Sequence, residues 1–204
     1  MDWSSLGLAA VASSTSGLNL YATVLTLGLL QRFGWLQLPA QWNPLSHTWV
    51  LALAAVLFVI EFIADKVPYL DSAWDAAHTF IRIPAGAILM AAAVTDVDPA
   101  LRLAAGLIGG SLALTTHSAK ATARLAANTS PEPFSNVLLS TAEDMATVFL
   151  LSIAASHPVV AGFVLIILLG ICIALLYTCF KFTRMFFGKL RRWLSPPTGS
   201  TSSD

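Results

Sequence analysis

Charged side chains are scarce in this sequence. Asp, Glu, Lys and Arg make up only 11% of the 204 residues, against about 25% in soluble domains. Hydrophobic residues make up 56%. This composition excludes an ordinary soluble domain and predicts an integral membrane protein. Because 11 basic residues balance 11 acidic ones, the net charge is zero, and nothing favours nucleic acid as a partner.

Cysteine and catalytic motifs are scarce as well. Cys172 and Cys179 lie within one apolar run, where two thiols are typical of lipid-facing or core-facing hydrophobic positions rather than of a disulfide. The sequence contains no nucleophile motif, no strand-to-helix phosphate loop and no HExxH zinc motif. These absences argue against an enzyme.

What the chain does contain is a series of apolar segments. They predict an all-α fold, a polytopic transmembrane helix bundle with about six spans, because about 20 apolar residues are needed to cross a bilayer. The predicted spans are approximately 6–30, 48–64, 79–94, 101–116, 137–155 and 159–180. No linker divides them, so the sequence predicts a single transmembrane domain, 1–194, and a disordered polar tail, 195–204.

Basic residues are distributed unevenly between the predicted loops. If the C-terminal tail is cytoplasmic, the opposite side receives only Arg32 and Arg102. The cytoplasmic side then receives all the other basic residues: Lys66, Arg82, Lys120, Arg124, Lys181, Arg184, Lys189, Arg191 and Arg192. By the positive-inside rule, this bias predicts a multi-pass protein with cytoplasmic N- and C-termini.

Ionisable residues interrupt the apolar pattern between residues 61 and 82. Glu61 and Asp65 lie one helical turn apart at the end of the second predicted span. Beyond Pro68, which is predicted to end that helix, four residues at helical spacing share one face: Asp71, Asp75, His78 and Arg82. Ionisable groups at membrane depth are costly unless they pair or face water. The stretch is therefore a candidate functional site.

A second charged face follows later in the chain. Its members are spaced as one side of a helix: His117, Lys120, Arg124 and Asn128. Two further carboxylates, Glu143 and Asp144, lie in the fifth predicted span. We expect Lys120 and Arg124 to close charge pairs or to hold an anionic group.

Carboxylates outnumber the fixed cations in and beside the spans. The carboxylates are Glu61, Asp65, Asp71, Asp75, Glu132, Glu143 and Asp144, and the cations are Lys66, Arg82, Lys120 and Arg124. A surplus carboxylate in a low-dielectric site binds a proton or recruits a cation. The alternative is a structural ion-pair network that fixes helix register, although Glu61 and Asp65 repel each other at their spacing of four.

The first predicted span contains a run of small polar residues. Ser16, Gly17 and Asn19 could pack against a neighbouring helix, or they could break the helix and line a cavity. A similar polar run recurs at 115–124. Two inverted three-helix repeats with interrupted first helices are one interpretation, and chance similarity of apolar segments is the other.

The spacing of Asp71, Asp75 and His78 could present three ligands to one ion. Such a set suits magnesium or manganese better than zinc, but the spacing alone identifies no metal. No cofactor is expected, and a divalent cation stays open. The expected partners are membrane lipids and a small ionic solute. Helices rich in Gly and Ala are also compatible with a homodimer.

Three blocks of the sequence carry a resemblance. SGLNLYATVLTLGLL (16–30), EFIADKVPYLDSAWDAAHTFIRIPAGA (61–87) and THSAKATARLAANTSPEPFSN with STAED (116–144) resemble a bacterial membrane family known as domain of unknown function 4126. The resemblance covers residues 13 to about 176. It implies a compact multi-span fold in the bacterial inner membrane, and it implies no activity.

Together these observations favour a small transporter or channel for an ionic solute. Glu61, Asp65 and Glu143 or Asp144 would bind a proton or cation. One alternative is a membrane-embedded enzyme or lipid-handling protein that acts on phosphate head groups at the cytoplasmic face. Another is a structural membrane subunit held together by ion pairs.

Overall fold

The computed structural model describes residues 3–94, 97–129 and 133–194. This part of the chain is all-α, as predicted. Its α-helices are α1 (Trp3–Leu18), α2 (Leu20–Arg32), α3 (Thr48–Ala64), α4 (Leu70–Ala93), α5 (Pro99–Ala127), α6 (Pro133–Ser156) and α7 (Pro158–Leu194), and a short 3₁₀ helix, Ala40–Ser46, precedes α3. The predicted disordered tail, 195–204, and Glu132 lie outside the described residues.

Several of these helices are long and apolar enough to cross a membrane. Three qualify alone: Leu70–Ala93, Phe134–Ser156 and Pro158–Lys189. The 3₁₀ helix and α3, bent by 63°, form a fourth candidate as a pair. These helices indicate a membrane protein. The total of about six spans stays a prediction. Helices α1 and α2, with 16 and 13 residues, are each too short to cross a membrane alone, and α5 is polar in its second half.

The first apolar segment is broken into two helices. Asn19, between α1 and α2, has the extended backbone angles φ −146° and ψ 103°. Its side-chain Oδ1 accepts a hydrogen bond of 2.8 Å from the Ala22 amide, which is how an N-cap residue satisfies a free amide at a helix start. The chain therefore restarts its helix in the middle of an apolar segment.

The small residues before this break pack closely against α4 and α5. The Ser13 hydroxyl donates to the Gly86 carbonyl at 2.8 Å, and the Thr116 hydroxyl donates to the Ser14 carbonyl at 2.7 Å. A Cβ added at Gly17 would collide with the Thr116 hydroxyl and the Ala113 carbonyl. The polar run thus both packs against neighbouring helices and leads into the break.

Gly17→Ala is expected to lower the free energy of unfolding by about 1–3 kcal/mol, because the added methyl group overpacks the α1–α5 contact. Gly162→Ala is the matched control, since no atom of the described residues lies within 4 Å of a Cβ added at Gly162 in α7. Thermal unfolding in detergent measures both. Equal stability of the two variants would contradict the packing described.

The structure extends two of the predicted elements. Helix α4 begins at Leu70 and passes through Pro84 without ending, so Asp71 to Arg82 belong to the same helix as the third predicted span. Helix α5 runs on through His117 and Arg124, although that stretch is too polar to span alone. The polar second half of α5 is stabilised by tertiary contacts, because charged residues of other helices pair with its side chains.

Candidate functional site

Nine ionisable residues from the segment α3 to α6 meet in one buried cluster, which we call the charged core. It contains three cations and six carboxylates: Arg82, Lys120 and Arg124, with Glu61, Asp65, Asp71, Asp75, Glu143 and Asp144. None of the nine residues is more than 9% exposed. The two charged faces predicted from the sequence therefore form one site.

Arg82 ties α4 to α3. Its Nη2 donates to Glu61 Oε1 at 2.6 Å, and its Nη1 donates to Asp75 Oδ1 at 2.9 Å. The side chain is completely buried. Arg82 lies about 18 Å along the helix axis from Leu70, so this pair sits deep within the bundle.

Lys120 ties the helix break to the charged core. Its Nζ donates to Asp65 Oδ2 at 2.9 Å and lies 3.5 Å from both Glu61 Oε1 and Asp75 Oδ1. The same Nζ donates to the Leu18 carbonyl at 3.0 Å. That carbonyl belongs to the last residue of α1, where a positive charge complements the negative end of the helix dipole.

Arg124 bridges α3 and α6. Its Nη2 donates to Glu143 Oε2 at 2.7 Å and to Asp65 Oδ2 at 3.1 Å, and its Nη1 donates to the Asp65 backbone carbonyl. Asp71 lies farther away, at 3.8 Å from Nη1. The Asp71 carboxylate instead accepts from the Asn128 amide at 3.0 and 3.2 Å.

Two histidines lie beside the charged core. Arg82 Nη1 lies 3.2 Å from His117 Nδ1, and since a guanidinium only donates, Nδ1 accepts. His117 Nε2, 2.7 Å from the Thr79 hydroxyl, then carries the proton. His78 Nδ1 faces the Trp74 carbonyl at 2.9 Å, and His78 Nε2 lies 3.0 Å from the Tyr21 hydroxyl.

The three metal candidates point toward different partners. Asp71 is bound by Asn128, Asp75 by Arg82, and His78 by Tyr21. Within residues 3–94, 97–129 and 133–194, no group of three His, Cys, Asp or Glu residues has an arrangement that could hold a metal ion.

Lys66 lies at the edge of the charged core, between α3 and α4. Its Nζ is 3.0 Å from the centroid of the Phe62 ring and donates to the Ser140 hydroxyl at 3.2 Å. Burial lowers the pKa of the Lys66 ammonium, and the Asp144 and Asp65 carboxylates oppose that shift. Of the four cations that the sequence analysis placed in or beside the spans, Lys66 alone is partly exposed.

The charged core holds more negative than positive charge. Its six carboxylates exceed its three cations by three, or by two if Lys66 is included. Four of the carboxylates have one buried oxygen without a hydrogen-bond partner among the described residues: Glu61 Oε2, Asp65 Oδ1, Asp75 Oδ2 and Asp144 Oδ2. Buried polar atoms are seldom left unpaired, so these four oxygens are the unusual feature of the charged core.

Asp144 differs from the other carboxylates. It accepts 2.8 Å from the Asn19 side-chain amide at the helix break, and among the described residues no cationic nitrogen lies within 4 Å of it. Its neighbour Glu143 is paired with Arg124. The two adjacent carboxylates of α6 thus have different partners: Glu143 contacts a cation, and Asp144 contacts a neutral amide.

Sequence reasoning missed the polar face of α6. Asn136, Ser140 and Thr147 are at most 1% exposed, and the Asn136 amide donates to Asn128 Oδ1 at 2.6 Å. Together with Glu143 these positions have the same helical spacing that identified the α5 face. That spacing could have identified the face of α6 that borders the charged core.

The comparisons with known proteins give one result. Residues 6–178 match the model of a family described as "Domain of unknown function (DUF4126)". No curated protein and no solved structure matches the chain significantly.

Proposed function

Because this chain belongs to the family described as a domain of unknown function (DUF4126), we propose its function from the charged core alone. The protein is a small membrane transporter for an ionic solute, coupled to the binding of a proton or cation at buried carboxylates. The observation that carries this proposal is the surplus of three carboxylates over cations in a core that is at most 9% exposed.

A purely structural network does not account for that surplus. Removing a charge from water is expensive, and partners of opposite charge offset the expense only when geometry and hydrogen bonding are good. Arg82 and Arg124 have such geometry, but the unpartnered oxygens of Glu61, Asp65, Asp75 and Asp144 do not. Additional positive charge would stabilise this arrangement.

The helix break supports a moving part at the same place. The end of α1 is held by Lys120 through the Leu18 carbonyl, and the start of α2 is held near Asp144 through Asn19. Binding sites of many transporters lie at such interrupted helices. A change of charge on these carboxylates would therefore alter the contacts that fix both half-helices.

We also propose a membrane arrangement. With α1 and α2 together as one span and α5 as another, the chain crosses the bacterial inner membrane six times, and both termini lie in the cytoplasm by the positive-inside rule. The ion pairs join the C-terminal ends of α3 and α5 to each other, and they join α5 to the N-terminal halves of α4 and α6. The inverted three-helix repeat stays a prediction.

Purified protein in liposomes is expected to carry a proton or sodium flux that Glu61→Gln abolishes. The reason is that Gln keeps an oxygen for Arg82 but removes a charge to which a proton or cation is bound. An internal pH dye and ²²Na⁺ uptake under an imposed membrane potential measure the flux, and thermal unfolding checks that the variant stays folded.

The control for this experiment is Asp98→Asn. Asp98 caps α5 by accepting from the Ala100 amide at 2.7 Å, and Asn caps helices equally well, so flux should persist. Wild-type liposomes without either flux, or a Glu61→Gln variant that carries the wild-type flux, would contradict the proposed function.

The enzyme and lipid-handling alternative needs Lys120 and Arg124 at the head-group surface. Both are buried, at 2% and 0% exposure, and both are paired with carboxylates. These contacts argue against a lipid phosphate at the two residues, and we do not propose it.

A further inference from the structure

The strongest unassigned feature lies where the helix break meets α6. The Asp144 carboxylate is anchored through Oδ1 by the Asn19 amide at 2.8 Å, which leaves Oδ2 buried and without a hydrogen-bond partner in the described part of the chain. Asp144 is 9% exposed, the highest value among the six carboxylates and shared only with Glu143. Among the described residues, it is also the one carboxylate of the charged core that lacks both an ion pair and a bond from Lys or Arg.

A second observation points to a ligand at the same place. Thr147 is completely buried, and its hydroxyl oxygen has no hydrogen-bond partner within residues 3–94, 97–129 and 133–194. A helical threonine usually bonds a carbonyl of the preceding turn, as Thr141 on the same helix does with Val137 at 2.8 Å. Thr147 lies three residues after Asp144, so both side chains are on one face of α6.

We propose that Asp144 Oδ2 and Thr147 Oγ1 bind one monovalent alkali cation, of the size of sodium. Hard cations prefer carboxylate, hydroxyl and carbonyl oxygens. The extended residue Asn19 holds the carboxylate in place from the adjoining helix break. Transporter helices interrupted in this way commonly supply oxygens to sodium.

The charged residues around Asp144 are compatible with one bound monovalent cation. Glu143 on α6 is paired with Arg124 and also lies 3.7 Å from Lys120. Lys120 is shared in addition among Asp65, Glu61 and Asp75. Lys66 bonds Ser140, one helical turn before Asp144, and lies outside ion-pair distance of the Asp144 carboxylate. One alkali cation at Asp144 would therefore reduce the negative surplus without displacing an existing pair.

As a coupling site this cation rests on the proposed function, but its binding is measured separately. Purified protein in detergent is heated in sodium chloride or in choline chloride at equal ionic strength and fixed pH. Sodium at about a hundredfold above its dissociation constant is expected to raise the melting temperature by about 5–10 °C. Asp144→Asn should remove this shift, and Thr147→Val should move its midpoint to higher sodium concentrations.

Thr141→Val is the matched control, because Thr141 bonds the backbone of its own helix and takes no part in the site. Its sodium-dependent shift should equal that of the wild type. No sodium shift in the wild type, or the wild-type shift in Asp144→Asn, would overturn the site. A shift that follows pH and ignores sodium would overturn it in favour of a proton. Sodium binding without any flux in liposomes would refute the transport function and leave the site standing.

Discussion

Arg82→Met is expected to destabilise the protein by about 3–5 kcal/mol, the usual loss when one partner of a buried ion pair is removed. Met keeps most of the side-chain volume, so the loss reports charge rather than a cavity. Glu61 and Asp75 would lose their bonds of 2.6 and 2.9 Å to the guanidinium. Both carboxylates would stay buried, with Lys120 as the one cation left within 4 Å among the described residues.

Thermal or denaturant unfolding in detergent measures this loss. Arg102→Met is the matched control, since Arg102 is exposed and its side chain donates one hydrogen bond to the residues described, to the Ala91 carbonyl at 3.3 Å. Its effect should stay within about 0.5 kcal/mol. If Arg82→Met does not fold, Arg82→Lys gives the intermediate case, because one ammonium cannot reproduce the two directed bonds of a guanidinium. An Arg82→Met variant as stable as Arg102→Met would refute the described pairing.

Arg124→Gln is expected to cost a comparable amount, and Glu143→Gln in the same chain should recover about 1–3 kcal/mol of it. The recovery arises because Glu143, once it is neutral, no longer needs the guanidinium that lies 2.7 Å away. Asp65 retains Lys120 at 2.9 Å in both variants. A double-mutant cycle of unfolding free energies isolates this coupling.

The control cycle combines Arg102→Gln with Glu143→Gln. Arg102 makes no ion pair with any residue that the structure describes and donates to a backbone carbonyl from the other end of α5, so its effect and that of Glu143→Gln should add. Additive effects in the Arg124 cycle as well would mean that Arg124 and Glu143 do not interact in the folded protein.

Helical spacing was enough to predict which charged residues share a helix face, but not how they pair. The interval of four, three and four from Asp71 to Arg82 places those side chains on one face, and α4 confirms a continuous helix there. Pairing depends on the register between helices. Glu61 and Asp65, which repel each other within α3, are stabilised by Lys120 from α5. Nothing in the local sequence specifies that contact.

The helix break illustrates a similar limit. The polar run around Ser16 and Gly17 suggested either packing or an interruption, and the structure contains both. The interruption falls at Asn19 because its side chain both caps α2 and reaches Asp144. The first contact is local and readable from residue type. The second spans 125 positions of the chain and depends on the tertiary fold.

The pairing of Arg82 bears on how the protein is made. Chains are synthesised from the N-terminus onward, and both carboxylates bound to Arg82 lie in α3 and α4, together with Arg82 itself. The segment from α3 to α4 thus contains both partners of each of these ion pairs before α5 is synthesised. Lys120 and Arg124 are synthesised later, after their shared partner Asp65. Each of the three cations of the charged core therefore follows at least one of its carboxylate partners in the order of translation. Glu143, the other partner of Arg124, is synthesised after all three cations.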